Sequence, residues 1–135
     1  MNNTNQRIES IRHEMKRNEI DAFLVPSSDP HQSEYVASHW QSRKWISGFS
    51  GSAGIAVITS NHAGLWTDSR YFLQAEDELA GSEMILQKQK VSHAPEHISW
   101  LKENLPAGSV VACDGMMFSI NQIRSLEKSF EEKDI

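Results

Sequence analysis

The segment WTDSRY, from Trp66 to Tyr71, places an acid, a hydroxyl, a guanidinium and a phenol next to one another. Its arginine, Arg70, has a planar set of donors that can bind a carboxylate or a carbonyl group of a ligand. Asp68 can be explained without a ligand, because an aspartate at a helix N-terminus caps the first turn. On the residues alone, we favour a capping Asp68 with Arg70 in a surface ion pair, and ligand binding is the alternative.

A polar loop with two prolines, PSSDPHQSEY at 26–35, carries a second group of reactive side chains. Asp29, His31 and Glu34 are residue types that bind metal ions. A metal site needs ligands that converge from rigid elements, whereas these three belong to one flexible loop. We therefore favour a solvated loop with Asx-type turns, and a self-contained metal or small-molecule site stays open as an alternative.

Other reactive residues have simpler structural explanations. His93 and His97 have the i, i+4 spacing of zinc-binding helices, but Pro95 lies between them and is expected to start the helix. That would exclude His93 from the helix, so the two imidazoles would not share a face. Cys113 lies in an apolar segment, where a cysteine usually acts as a small hydrophobic residue.

Three glycines, Gly48, Gly51 and Gly54, suggest a phosphate-binding loop. Such loops follow a strand and open a helix, so that backbone N–H groups and the helix dipole face the anion. The residues at 55–59 are β-branched and apolar instead, which predicts a strand. A structural turn is therefore the favoured interpretation of these glycines.

Length and composition limit the classes of protein. The chain has 135 residues, a formal net charge of −5, 39% hydrophobic residues and one cysteine. This length fits one domain with one real core. The acidic balance argues against nucleic-acid binding and against a polybasic membrane patch. The polar N-terminus, the single cysteine and the absence of a long apolar run lead us to expect a cytoplasmic protein.

Hydrophobic periodicity predicts the elements that position these residues. Helices alternate with strands, and one pair of strands forms a hairpin, so we expect an α/β domain with a mixed sheet. Because the pattern stops just after a helix, a further strand is expected beyond Ile135. The predicted helices are 4–18, 69–80, 95–105 and one after Ser119 with Ile120, Ile123, Leu126 and Phe130 on one stripe, and the predicted strands are 20–25, 53–59, 64–68, 83–89 and 110–114.

Four sequence blocks occur in a characteristic order: DAFLVPS at 21–27, DPHQSEY at 29–35, SGFSGSAG at 47–54 and LWTDSRYFLQA at 65–75. In this order and spacing they closely resemble the N-terminal domain of aminopeptidase P (Xaa-Pro aminopeptidase). The similarity is to the cytosolic-type subfamily within the creatinase/prolidase superfamily. Four ordered blocks are far more specific than any single motif in the chain.

The resemblance implies a mixed β-sheet of about five to six strands flanked by helices, in a ribonuclease H-like arrangement. In that family the N-terminal domain is not catalytic. Two Asp, one His and two Glu of a C-terminal domain bind two divalent metal ions, usually manganese. We therefore expect 1–135 to be a single N-terminal domain, truncated before its last strand and lacking the catalytic domain, with no catalytic residue and no metal ligand of its own.

The resemblance also implies a site. In the cytosolic-type enzymes the arginine of the Trp-Thr-Asp-x-Arg-Tyr block contacts substrate, and Arg70 matches it, with Ser69 where glycine is usual. His31, Tyr35 and Asp68 are weaker candidates for the same role. The implied partners are a proline-containing peptide, the catalytic domain and a second copy of the protein, with no nucleic acid and no membrane. A purely structural or oligomerisation module stays open as an alternative.

Overall fold

Five strands form one mixed sheet in the computed structural model, which describes residues 3–135. The order across the sheet is β4-β3-β2-β1-β5. Antiparallel pairs join β1 to β2 and β2 to β3, and parallel pairs join β1 to β5 and β3 to β4. The predicted hairpin and the predicted mixed sheet are both confirmed. The strands are β1 Ala22–Val25, β2 Ile55–Thr59, β3 Ala63–Thr67, β4 Ile85–Lys88 and β5 Val111–Cys113.

Local sequence signals explain where several helices begin and end. Ser119 Oγ accepts from the Gln122 amide at 3.1 Å, and the Ser119 amide donates to Gln122 Oε1 at 2.7 Å, so the two residues form a capping box at the start of α5. Gly81 follows α3 with a φ of 78°, as a glycine after a helix C-terminus should. The helices are α1 Asn3–Arg17, α2 Ser42–Ser47, α3 Phe72–Leu79, α4 Glu96–Asn104 and α5 Ile120–Glu131, with 3-10 turns at Ser38–Trp40, Ser69–Tyr71 and Gly115–Met117.

Helices pack against both faces of the sheet. Successive residues of a strand point to opposite sides, so each face presents apolar side chains to a core of its own. On β2, Ala56 and Ile58 join a core with Ile8 of α1 and Ile46 of α2, and Val57 points into a second core. That second core also contains Leu24, Trp66, Leu101 and Phe130. None of the helices within residues 3–135 is long and apolar enough to cross a lipid bilayer.

The predicted apolar stripe of α5 is buried along only part of its length. Ile120, at its first position, is 70% exposed, and Phe130, near its C-terminal end, is 5% exposed. Ile123 and Leu126 are half-buried between them. Periodicity identifies the apolar face of a helix, but the extent of the core beneath that face depends on tertiary packing.

Candidate functional site

The candidate site lies at the sheet edge where four of the five strands end. β1, β3, β4 and β5 run in one direction, and β2 runs against them. The segments that follow those four strands therefore leave the sheet along one edge, which is where α/β sheets commonly bind ligands. The loop after β1 carries His31 and Tyr35, and the turn after β3 carries Asp68 and Arg70.

Asp68 and Arg70 form a two-point ion pair directly after β3. Arg70 Nε donates to Asp68 Oδ1 at 2.9 Å, and Arg70 Nη2 donates to Oδ2 at 2.8 Å. The Arg70 amide also donates to Oδ1 at 3.1 Å, so that Asp68 caps the 3-10 turn leading into α3. One carboxylate therefore supplies both the helix cap and the counterion.

The two members of this pair differ in exposure. The side chain of Asp68 is 8% exposed, whereas that of Arg70 is 59% exposed. Hydrogen bonds from the Arg70 side chain lower the pKa of Asp68 to about 2, so the carboxylate is ionised at neutral pH. The same bonds raise the pKa of Arg70. Because Asp68 occupies only part of the guanidinium, Arg70 keeps N–H groups that can bind a carbonyl or a carboxylate.

Tyr71 connects this ion pair to the glycine-rich turn before β2. The guanidinium carbon of Arg70 lies 5.3 Å from the centre of the Tyr71 ring, and the Tyr71 hydroxyl hydrogen-bonds Ser52 Oγ. Tyr71 also packs edge-on against Phe49, with ring centres 5.8 Å apart. A Cβ at Gly51 would lie 2.2 Å from the Phe49 ring and 2.9 Å from the Tyr71 ring. The turn therefore needs glycine for packing, and β2 follows it.

A cleft of about 390 Å³ opens beside this turn. Tyr35 lies on its rim with 88% of the residue exposed, so its ring can contact a ligand or another domain. Arg70 does not line the cleft, but it contacts the ring of Tyr71, whose hydroxyl hydrogen-bonds Ser52 on the cleft wall. The walls come from the loop after β1, the 3-10 turn at Ser38–Trp40, α2 and the glycine-rich turn, and they include Ser27, Glu34, Trp40, Arg43, Lys44 and Ser50.

His31 belongs neither to the ion pair nor to the lining of the cleft. It is exposed, and its amide donates to Asp29 Oδ1 at 2.8 Å, as the Ser33 amide does at 3.0 Å. The bond from the Ser33 amide is the main cause that lowers the pKa of Asp29. The Asp29 carboxylate is thus directed to its own loop, as an Asx-type turn requires. Residues 3–135 contain no group of three His, Cys, Asp or Glu that could hold a metal ion.

Arg43 of α2 is a site residue that the sequence analysis missed. It is 6% exposed, and its guanidinium carbon lies 4.9 Å from the centre of the Phe49 ring. Nη2 donates to the Gly51 carbonyl, while Nε and Nη1 are buried with no hydrogen-bond partner in residues 3–135. Burial lowers the pKa of Arg43 to about 10, so the group stays charged at neutral pH. Its segment, 36–47, has no clear periodicity that could have revealed this burial.

The remaining reactive residues occupy structural positions. His93 lies outside α4, which begins at Glu96, so it does not share a helix face with His97. His97 packs against Trp66 with ring centres 6.4 Å apart, and burial lowers its pKa to about 4. Cys113 is half-buried in β5, and burial raises its pKa, so the thiol is protonated at neutral pH.

Comparison with known proteins identifies the family. Residues 7–135 match the family model described as the Creatinase/Prolidase N-terminal domain. Xaa-Pro aminopeptidase 2 of Rattus norvegicus is 33% identical over 132 residues, which are 98% of this chain and 19% of that protein. Xaa-Pro aminopeptidase ApepP of Drosophila melanogaster is 46% identical over 108 residues, 80% of this chain and 18% of that protein. The chain thus spans about a fifth of the length of these relatives.

Solved structures agree with this match. An X-prolyl aminopeptidase from Caenorhabditis elegans, described as a cytosolic enzyme with a di-nuclear active site, has a TM-score of 0.87 and 31% identity, and the match covers 97% of this chain and 23% of that one. The N-terminal domain of the cytoplasmic peptidase PepQ from Mycobacterium tuberculosis has a TM-score of 0.69 at 20% identity, covering 96% and 88%. The second likeness shows the fold alone. The resemblance stated from the sequence is confirmed, and the chain belongs to the creatinase/prolidase N-terminal domain family, with Xaa-Pro aminopeptidases as its relatives.

Proposed function

We propose that the chain is the N-terminal domain of a metal-dependent Xaa-Pro aminopeptidase, an enzyme that removes the N-terminal residue from peptides with proline second. The names of the relatives, which match nearly the whole chain, support this proposal. In it, the domain shapes the substrate cleft and supports assembly, while the chemistry takes place elsewhere in the longer protein. The domain alone is inactive.

The observation that carries this proposal is the geometry of Arg70. Asp68 holds the guanidinium at two points, and more than half of the Arg70 side chain still faces solvent at the sheet edge. A cation fixed in this way binds a peptide carbonyl or carboxylate with little further loss of side-chain freedom. Tyr35 on the cleft rim and His31 on the same loop are secondary contacts in this proposal.

The metal centre of the proposed enzyme lies outside this chain. The described residues do not fit it, because residues 3–135 offer no group of three ligands and Asp29 is bound by its own loop. The Caenorhabditis elegans enzyme is described as having a di-nuclear active site, which favours two metal ions in the proposed enzyme. We propose that both ions are manganese. Such ions activate a water molecule and stabilise the charge that develops on the scissile carbonyl.

The proposed location and partners follow from the same comparison. We place the protein in the cytoplasm, because the Caenorhabditis elegans relative is described as cytosolic. The catalytic domain and a second copy of the protein are the proposed protein partners. Exposed apolar side chains such as Leu73, which is 84% exposed, are available for those contacts. The net charge of −5 speaks against nucleic acid as a further partner.

A structural or oligomerisation module is the second candidate, and one observation favours it. Asp68 holds Arg70 at two points, and this ion pair accounts for the position of the arginine without a ligand. Capping the 3-10 turn before α3 and fixing the chain after β3 are sufficient roles for such a pair. Kinetics of the full-length enzyme can separate the two candidates.

The test is Arg70→Ala in the full-length enzyme, assayed with peptides of three or more residues that have proline second. Loss of a charge-assisted contact should lower kcat/KM by about tenfold or more. Arg124→Ala, which removes an exposed arginine of α5, is the matched control and should leave kcat/KM unchanged. An unchanged kcat/KM in Arg70→Ala, with a normal Tm, would leave the structural module as the function.

A further inference from the structure

We propose that the cleft beside α2 is a binding site for the carboxylate group of a peptide, with Arg43 as its buried cation. The cleft is bounded by Ser27, Glu34, Tyr35, Trp40, Lys44 and Ser52. The proposal rests on the proposed function only in taking a peptide as the ligand. Its test is direct binding to this chain, so its failure is distinguishable from a failure of the Arg70 kinetics.

The buried charge of Arg43 is left without an ion-pair partner among the described residues. No ion pair joins Arg43 to a carboxylate anywhere in residues 3–135. Glu78 attracts it at longer range, but the Glu78 carboxylate accepts hydrogen bonds from the Ser50 amide and hydroxyl and from Gln74. A buried cation is costly unless an anion pairs with it. Arg43 therefore leaves a positive charge at the cleft wall that an external anion can compensate.

Other hydrogen-bond donors, from the glycine-rich turn and from Lys44, also line the cleft. The amide N–H groups of Gly51 and Ser52 bond no acceptor within residues 3–135. The exposed Lys44 also lines the cleft and takes part in no ion pair with a described carboxylate. Free amides of a turn beside cationic side chains make a concave site for an anion. These donors are independent of the unpaired guanidinium.

The charge of the site favours a carboxylate over a more highly charged anion. Arg43 and Lys44 contribute two positive charges and Glu34 one negative charge, which leaves a single positive charge at the cleft. This balance matches the single negative charge of a carboxylate, whereas a phosphate dianion would meet stronger repulsion from Glu34. The rings of Tyr35 and Trp40 provide apolar walls for the organic part of the ligand.

The position of the cleft makes a peptide the natural source of that carboxylate. The cleft volume of about 390 Å³ lies within the range of small-molecule sites. Ser52 on its wall hydrogen-bonds Tyr71, whose ring lies beside the guanidinium of Arg70. The cleft and the proposed peptide contact are therefore adjacent, and one short peptide can occupy both.

The experiment is an NMR titration of the ¹⁵N-labelled chain with two forms of the peptide alanyl-prolyl-alanyl-alanine. The free acid should shift the amides of Lys44, Gly51 and Ser52 and bind about tenfold more tightly than the C-terminal amide. A third peptide, amidated and ending in glutamate, tests a side-chain carboxylate as the source. Tighter binding than the plain amide would assign the site to side-chain carboxylates as well. Equal binding of acid and amide, or tighter binding of inorganic phosphate, would overturn the proposal.

Variants connect the binding to the guanidinium. Arg43→Met should abolish the preference for the acid, and the matched control Arg124→Met should keep it. Lys44→Gln, at an exposed position, should weaken binding of the peptide acid by about threefold. This variant gives a second test if Arg43→Met does not fold. A preference for the acid that survives in a folded Arg43→Met chain, or is unaffected by Lys44→Gln, contradicts the proposal.

Discussion

Two arginines at one edge of the sheet meet opposite conditions. The Arg70 side chain is 59% exposed, and both oxygens of the Asp68 carboxylate hold it. Arg43 is 6% exposed and forms no ion pair with a carboxylate in residues 3–135. Two of its guanidinium nitrogens also have no hydrogen-bond partner among those residues. The arginine that water could solvate thus has a carboxylate paired with it, and the arginine removed from water has only the longer-range attraction of Glu78.

This contrast distinguishes an ion pair that orients an exposed arginine from a buried arginine whose charge lacks an ion-pair partner. The Arg70 end of the ion pair is exposed, so the pair itself contributes little to stability, and its main effect is to fix the direction of the Arg70 guanidinium. Interactions of a buried charge are much stronger, so the unpaired Arg43 can gain a great deal from an anion. Gly51 links the two regions, because its carbonyl accepts from Arg43 and its Cα faces the ring of Tyr71.

Gly51→Ala is expected to give the largest effect, since it breaks that link. The new methyl group would lie 2.2 Å from the ring of Phe49, which is fully buried in the core. Forcing an extra carbon into such packing should cost about 3 kcal/mol in the free energy of unfolding. Urea denaturation of the chain, followed by tryptophan fluorescence, measures this loss.

Gly115→Ala is the matched control for this variant. A Cβ at Gly115 would meet no heavy atom within 4 Å. Its free energy of unfolding should therefore stay within about 0.5 kcal/mol of the parent value. Equal losses in the two variants would show that the glycine-rich turn is not packed between the two arginine regions.

Asp68→Ala is expected to give a smaller effect, confined to the Arg70 region. It removes the cap of the turn that leads into α3, which should cost about 1 kcal/mol in the free energy of unfolding. Asp77→Ala, at an exposed position of α3, is the control and should cost less. A loss no larger than that of the control would mean that Asp68 does not hold this turn.

The pH dependence of the same variant tests the ion pair itself. The pKa of Asp68 falls from an ordinary 3.8 to about 2 in the folded chain, so the unfolded chain binds the proton more readily. The stabilisation from Asp68 is therefore fully present above pH 3.8 and is lost as the pH falls towards 2. The stability difference between parent and Asp68→Ala should narrow over this range. A constant difference would show that Arg70 does not hold the ionised carboxylate.

The elements of the fold were predictable because their signals are local. Ser119 and Gln122 are three residues apart and make their reciprocal bonds regardless of the rest of the chain. The alternation of β2 likewise follows from strand geometry, which sends Val57 and Ile58 to opposite faces. Both features needed only neighbouring residues, and the predicted helix after Ser119 and the predicted strand within 53–59 are confirmed.

The site was less predictable because its residues are defined by contacts from distant segments. Arg43 is buried by Phe49 and Gly51, which belong to a turn that follows α2 rather than to the helix itself. The residues alone allowed Arg70 to be either a surface ion-pair residue or a ligand-binding residue, and its pairing with Asp68 is compatible with both. Only the family resemblance favoured ligand binding. Its contact with substrate remains a prediction.

Arg43→Met is expected to give the smallest effect on the chain without ligand, a change of less than about 1 kcal/mol in the free energy of unfolding. The variant loses the bond to the Gly51 carbonyl, but it also removes a buried charge that no ion pair in residues 3–135 neutralises. Methionine can occupy the same space and place its sulfur against the ring of Phe49. Urea denaturation with and without the peptide acid measures both states, and the acid should stabilise only the parent chain. A loss above about 3 kcal/mol without ligand would mean that the guanidinium is needed by the fold itself. The contrast between the two arginines would then be one of packing, and the unpaired charge would no longer point to a ligand.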